Sequence, residues 1–225
     1  MEIPKPHAHS LEGEMKMDGV RKIPLRELTI VIDTGLTQRY SRSIDSEGKA
    51  PGRRIIKAKD IENGQIADLE TLDWVQGQYA KTLGSRELTI GDILVATKGT
   101  SIKAAKVGIS HEGCVFADTL TRMRLKDNIM PDYFIFVFSI PQIARELIPK
   151  ATGINTTFIS KRELASFVIP VPGLEVQKKI VKLYAMLQKE RELTEKLLEL
   201  KERLVIDGIM QKITAENNPD DEFQV

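Results

Sequence analysis

Three clusters of cations are the residues whose types and spacing point to chemistry. Val95 to Lys106 reads VATKGTSIKAAK, carrying Lys98, Lys103 and Lys106, no acid, and Thr100 beside a turn-forming glycine. Phosphate oxygens are held by ammonium groups, hydroxyls and backbone amides, so such a loop suits a nucleic-acid backbone. Arg53, Arg54, Lys57 and Lys59 form a second cluster, and Lys150, Asn155, Thr156, Thr157, Lys161 and Arg162 a third. Asn155 has the amide that pairs with adenine, and arginine the fork that pairs with guanine, but the pattern does not select which side chain reaches a base. Each cluster alone reads equally as a solvated face. The three together point to a nucleic-acid surface.

Groups for covalent or metal chemistry are sparse. His7 and His9 have no further Cys or His nearby, whereas a structural zinc needs four ligands. His111 beside Glu112 lacks a serine or cysteine at a suggestive spacing and reads as a surface turn. Cys114 is the single cysteine and excludes an internal disulfide.

The elements that must position the cations read as a turn-rich sheet. Arg54 to Ile56, Asp92 to Thr97, Lys106 to Ile109, Cys114 to Ala117 and Thr121 to Leu125 are short β-rich pieces, punctuated by Gly84, Gly91, Gly99, Gly108 and Gly113. Glu27 to Asp33 (ELTIVID) is strand-like, and residues 1–22 before it are polar and aperiodic, a mobile leader. Thr34 to Arg53 reads as a long loop, functional or disordered at that length. Tyr133 to Ile140 is a strongly apolar run, and its pattern does not separate a buried helix from a buried strand; a helix follows from about Gln142. FISKRELASFVIPVP reads as a helical turn and then an edge strand, which Pro170 and Pro172 stop.

From Gly173 to Thr214 there is no proline, and apolar residues recur at helical spacing. Ile180, Leu183 and Leu187 form one seam and Leu193, Leu197, Leu200 and Leu204 a second, with steps of three and four as in a coiled coil. The phase slips between Leu187 and Leu193, so either the supercoil is distorted there or two helical pieces meet. Such a helix spans roughly 60 Å, longer than a small domain is wide, and needs a partner, expected to be an antiparallel helix. Glu175 with Lys179, Glu192 with Lys196, and Glu199 with Arg203 place acid four residues before base, the arrangement that supports an exposed helix. Residues 215–225 form an acidic tail.

The chain of 225 residues, 41% hydrophobic and 29% charged, allows one good-sized domain with an appendage. Its net charge of +1 says little until divided, because base exceeds acid in residues 23–172 and acid stands alone in the tail. No apolar run spans a bilayer and no secretory start is present, so no membrane is involved and the cytoplasm is the default location.

The GDILVATKG segment, the polar Gly/Asn/Thr loop and ISKRELASFVIPVPGLEVQKKIV, in that order, resemble the specificity (S) subunit of type I restriction-modification enzymes over about Ile23 to Ile213. In that family a proline-x-proline step precedes an acidic residue, a glutamine and an isoleucine; here these are Pro170, Pro172, Glu175, Gln177 and Ile180. Val176 stands where a second Glu is common, and Gly173 where a second Pro is frequent, which bears on how the helix joins the domain. The resemblance implies an α+β fold: a sheet-rich target-recognition domain over residues 23–172, then a long coiled-coil helix over residues 173–214. It implies a half-size form with one such domain and one such helix, non-catalytic, binding double-stranded DNA and working as a homodimer. The methyltransferase (M) and nuclease/translocase (R) subunits would be its partners, with S-adenosylmethionine on the methyltransferase and no cofactor in this chain. Its DNA-facing residues would be drawn from Arg53, Arg54, Lys57, Lys98, Thr100, Lys103, Lys106, Lys150, Asn155, Thr156 and Lys161.

Restriction systems also contain enzymes, and the sequence argues against both kinds. It has no Asn/Asp-Pro-Pro-aromatic tetrad of an amino-methyltransferase, no G-x-G loop after a strand and no G-x-x-x-x-G-K-[ST], and Pro131-Asp132 is not followed by E-x-K. The remaining alternative is a coiled-coil adaptor or regulator without restriction-modification partners, which would bind duplexes with no sequence preference.

Overall fold

The computed structural model describes residues 19–37, 52–75, 86–99, 102–148 and 157–216. In chain order its elements are β1 (Arg21–Pro24), α1 (Leu25–Leu28), β2 (Thr29–Thr34), β3 (Arg53–Ile56), β4 (Ile61–Glu62), β5 (Gln65–Ile66), β6 (Asp73–Val75), β7 (Ile93–Ala96), β8 (Lys98–Gly99), β9 (Ala104–Lys106), β10 (Val115–Phe116), β11 (Leu120–Leu125), α2 (Pro131–Ser139), α3 (Pro141–Leu147), β12 (Thr157–Phe158), α4 (Lys161–Ser166), β13 (Val168–Val171) and α5 (Leu174–Glu216). Strands and helices are mixed, so the class is α+β. Two units form, one ending at Ile180 and one beginning at Val181.

Two larger sheets and three two-stranded pairings, β1 with β13, β4 with β5 and β8 with β12, build the described part of the first unit. An antiparallel sheet runs β2-β11-β7-β9, and a three-stranded sheet runs β10-β3-β6 with β10 and β3 parallel. The main core cluster joins residues from both: Ile56 and Phe116 from one, Leu94, Ala105 and Leu120 from the other. β7 contributes four consecutive buried residues, Ile93 to Ala96, as a central strand covered on both faces must. Gly35 has no alternative at its position, because a Cβ there would collide with the backbone carbonyls of Phe116 and Ala117, which Leu36 meets in a parallel bridge. Gly91 supplies the left-handed φ of 87° in the turn entering β7, while Asp92 caps that turn by accepting the Thr89 amide at 3.0 Å.

Several elements differ from the sequence reading. Within ELTIVID, Glu27 and Leu28 close the short helix α1, because Leu25 and Leu28 are both fully buried and the Leu25 amide donates to the Phe167 carbonyl at 2.8 Å. The first domain already includes Arg21 and Lys22, which pair with Val171 and Pro170 across β1 and β13; residues 1–18 of the expected leader, His7 and His9 included, lie outside the described residues. Most of the expected loop over residues 34–53 also lies outside them. Tyr133 to Ser139 resolves as part of helix α2, with Ile140 as its extended C-cap. Pro131 opens the helix, and Phe134 and Phe138, one turn apart, stack at 4.4 Å between ring centres, whereas in a strand the same two residues would share a face but lie about 13 Å apart.

The junction to α5 is locked by one side chain. Gln177 is completely buried; its Oε1 accepts the Met130 amide at 2.9 Å, and its Nε2 donates to the carbonyls of Pro172 at 2.8 Å and Asn128 at 3.1 Å. Beside it the Tyr133 hydroxyl donates to the Pro170 carbonyl at 2.8 Å, and burial pushes that phenol up to about 12.

Candidate nucleic-acid interface

The loop that follows Gly99 and the one that precedes Thr157 are far apart in sequence, yet a ribbon brings their ends together. After β7 the chain leaves the four-stranded sheet: the Thr97 amide donates to Thr119 O at 3.0 Å, and Thr97 O accepts from Ile159 at 2.8 Å. β8 and β12 then pair antiparallel, with Gly99 opposite Thr157 and Lys98 opposite Phe158. Lys98 of the first cluster and Thr157 of the third therefore lie on this ribbon. Thr100, Lys150, Asn155 and Thr156 lie outside the described residues, but Thr100 adjoins Gly99 and Thr156 adjoins Thr157 in the chain.

The described cations here differ in how far they are committed. Lys98 is bonded to Asp118 at 3.1 Å, with its ammonium 5.8 Å from the Phe158 ring centre. Lys106 is paired with Asp132. Lys103 is exposed, its carbonyl accepting the Ala96 amide at 2.7 Å, and its ammonium makes no ion pair among the described residues. Lys161 and Arg162 open α4, both exposed and likewise without an ion pair among the described residues. Ser160 caps that helix: its Oγ accepts the Glu163 amide at 3.2 Å, and Glu163 accepts the Ser160 amide at 2.8 Å. Bonded to Ser160, the Glu163 carboxyl titrates below its ordinary value. Lys103, Lys161 and Arg162 are thus the cations with capacity to spare for phosphate.

Arg53, Arg54, Lys57 and Lys59 sit on and beside β3, in the other sheet, and are engaged within the domain. Arg53 donates to Gly113 O at 3.0 Å and pairs with Glu87 at 2.7 Å. Arg54 donates to Leu72 O at 2.6 Å and lies 4.0 Å over the Trp74 ring centre. Lys57 and Lys59 both meet Asp73, at 2.8 and 3.4 Å, and the Lys57 bond holds the Asp73 carboxyl below its ordinary value. A DNA phosphate would have to compete with each of these partners.

The sequence reading missed a charge network on β11. Arg122, 5% exposed in its side chain, grips Asp33 with two donors at 2.9 and 2.6 Å and donates to Glu87 O at 2.7 Å. Arg124 grips the buried Asp92 in the same two-pronged way, at 2.8 and 2.9 Å. The signal was the alternation Arg122, Arg124 against Thr121, Met123, which puts both arginines on one strand face. These forks tie β2, β11 and β7 together, and Asp92 holds the Arg124 guanidinium more firmly protonated.

His111 is not a surface residue: it is 8% exposed, with Nε2 2.9 Å from Ala67 O and Nδ1 3.1 Å from Ser110 Oγ. Its ring staples the 109–111 turn to the β4–β5 hairpin. No group of His, Cys, Asp and Glu able to hold a metal occurs among the described residues, and no helix among them is long and apolar enough to cross a membrane.

α5 is one uninterrupted helix of 43 residues, so the seam slip does not divide it. At about 100° per residue, the slip instead separates two stripes. Ile180, Leu187, Leu198, Val205 and Ile209 fall on one; Met186, Leu193, Leu197, Leu200 and Leu204 fall on the other, about a third of a turn away, with Leu183 between. Ile180 is half-buried, whereas Leu187, Leu193, Leu197, Leu200 and Leu204 are 43 to 73% exposed. Met186, Leu193 and Leu197 line an open groove along the second stripe, edged by Lys189, Glu190 and Thr194. The ion pairs on this helix join Glu175 to Lys178 and Lys189 to Glu192, three apart, in place of the four-residue pairs read from the sequence.

An α+β domain with a two-stranded ribbon that carries Lys98, and with exposed cations at Lys103, Lys161 and Arg162, continued by a long helix with exposed apolar stripes, is the anatomy of a nucleic-acid recognition domain with a helical appendage. Residues 18–202 match the Type I restriction modification DNA specificity domain, and the chain belongs to that family. It is similar in structure to the HsdS subunit from Thermoanaerobacter tengcongensis, at 20% identity and TM-score 0.60, over 96% of this chain and 54% of that one. A chain from a structure of the type I R-M system, solved in work on its complex assembly and conformational transition, matches at 18% identity and TM-score 0.62, over 92% of this chain and 52% of that one. The S subunit from M. genitalium matches at 13% identity and TM-score 0.51, over 93% and 48%. At these identities the likeness is one of fold, and the chain spans about half the length of those subunits. No curated protein matches the sequence.

Proposed function

We propose that this chain is a non-catalytic specificity subunit that reads half of a split DNA site in the cytoplasm and directs a separate methyltransferase and nuclease to it. Family membership over residues 18–202 carries the reading, and the pairing of β8 with β12, which carry Lys98 of the first cluster and Thr157 of the third, supports it. Methyl transfer would draw on S-adenosylmethionine held by the methyltransferase. The chain itself contributes phosphate contacts from Lys103, Lys161 and Arg162 and base readout from the loops that flank the ribbon, where Thr100, Asn155 and Thr156 lie.

Two copies pair through α5. The support is the row of exposed leucines, because a helix that leaves Leu193, Leu197, Leu200 and Leu204 more than half exposed gains by burying them against another helix. Two identical domains about a two-fold axis read identical half-sites on opposite strands, so the target is an interrupted palindrome. Sequencing modified adenines in single DNA molecules, after co-expression with the methyltransferase, tests this. An asymmetric motif would show that the chain pairs with a different recognition domain. Binding of random duplexes without preference, methyltransferase present, would favour a coiled-coil adaptor.

A further inference from the structure

Among the described residues Phe158 is the one aromatic of the exposed large apolar side chains, 59% exposed. Its position is fixed, since it faces Lys98 across the ribbon and is followed by Ile159, 2% exposed, whose amide donates to Thr97 O at 2.8 Å. Strand alternation sends Ile159 into the core and Phe158 outward. The cation beside the ring is itself held, with Lys98 anchored on Asp118. An apolar ring presented outward on a backbone anchored to the core, with the Lys98 ammonium 5.8 Å from its centre and the exposed Lys161 three residues on in the chain, complements a duplex: cations meet phosphates, and an apolar group meets a base edge. The major groove admits a two-stranded antiparallel ribbon, and the apolar feature it displays is the thymine C5 methyl.

We propose that the β8–β12 ribbon enters the major groove and that Phe158 reads a thymine methyl in the half-site. The inference rests on the chain being a DNA specificity subunit. The test uses the full chain with its methyltransferase and the duplex it modifies, with each half-site thymine replaced in turn by deoxyuridine, which lacks only the methyl. In the wild type one such replacement weakens binding about fourfold, as removing one apolar carbon from the interface should. Phe158→Ala weakens binding to the intact site about tenfold, becomes insensitive to that deoxyuridine, and keeps both the affinity for random duplex and its salt slope, because every phosphate keeps its cation. Phe158→Leu, folded by circular dichroism, retains part of the methyl sensitivity. The proposal is overturned by unchanged binding in Phe158→Ala, by equal weakening on site and random duplexes, by a reduced salt slope, by deoxyuridine sensitivity that persists in the variant, or by a half-site without thymine. A wild type with no preference for any site would instead remove the specificity-subunit reading.

Discussion

Gln177 joins the start of α5 to the recognition domain, and its removal has a calculable cost. Gln177→Leu keeps the volume close but strips partners from three backbone groups: the Met130 amide and the carbonyls of Asn128 and Pro172. A buried polar group left without a partner costs about 1–3 kcal/mol. The Pro172 bond is fully buried, whereas the other two are only partly so, which places the sum at about 3 kcal/mol. That is roughly two orders of magnitude in the unfolding equilibrium, or a drop of about 6–12 °C in melting temperature for a protein of this size. Gln177→Glu discriminates the cause. Its carboxylate still accepts from Met130 but turns lone pairs toward two carbonyls, so the variant should be destabilised at neutral pH and recover in part on acidification, when a protonated carboxyl can donate. Urea denaturation followed by circular dichroism reads both variants. A Leu variant with the wild-type midpoint and slope would show that the amide contributes nothing to the junction.

Charged replacements at Leu197 and Leu200 should dissociate the protein: core leucines contribute about 2–5 kcal/mol each, and sedimentation with unchanged molar mass in a helical double variant would place the packing within one chain. Lys103→Ala and Lys161→Ala should each lower the salt slope of duplex binding by about one unit for each phosphate left without its cation, while Lys106→Ala, whose ammonium already pairs with Asp132, should leave it unchanged; equal slopes across all three would remove the distinction. Tyr133 is neutral in the folded state up to about 12, against an ordinary value of 10.0, so its stabilising contribution is complete below pH 10 and is lost as pH rises through 12. Tyr133→Phe should remove that alkaline phase from the absorbance titration, and a variant that retained it would assign the phase elsewhere.

Much of the architecture was legible because it depends on local pattern. The absence of proline and the three-four spacing from residue 174 onward specify a helix whatever surrounds it, and the proline-x-proline step with Gln177 and Ile180 pointed to the family. Tyr133 to Ile140 was not legible, since a run with apolar residues at nearly every position has no clear period to read; burial of both Phe134 and Phe138 decided it. Glu27 and Leu28 were read as strand because side-chain pattern does not reveal that Leu25 must reach Phe167, more than a hundred residues away, for its hydrogen bond.

For the candidate interface, the sequence by itself determined which residues carry charge and that the chain lacks the familiar catalytic motifs. Only the tertiary structure decided which charges are free. Arg53, Arg54, Lys57 and Lys59 looked equivalent to Lys103 and Lys161 in composition, but β3–β6 pairing sets Asp73 and Trp74 beside the first group, and nothing acidic is bonded to the second among the described residues. Pairing of β8 with β12 likewise joined two segments distant in sequence and set Phe158 beside Lys98. The physical reason is that a cation's availability depends on its nearest neighbours in space, and long-range strand pairing chooses those neighbours.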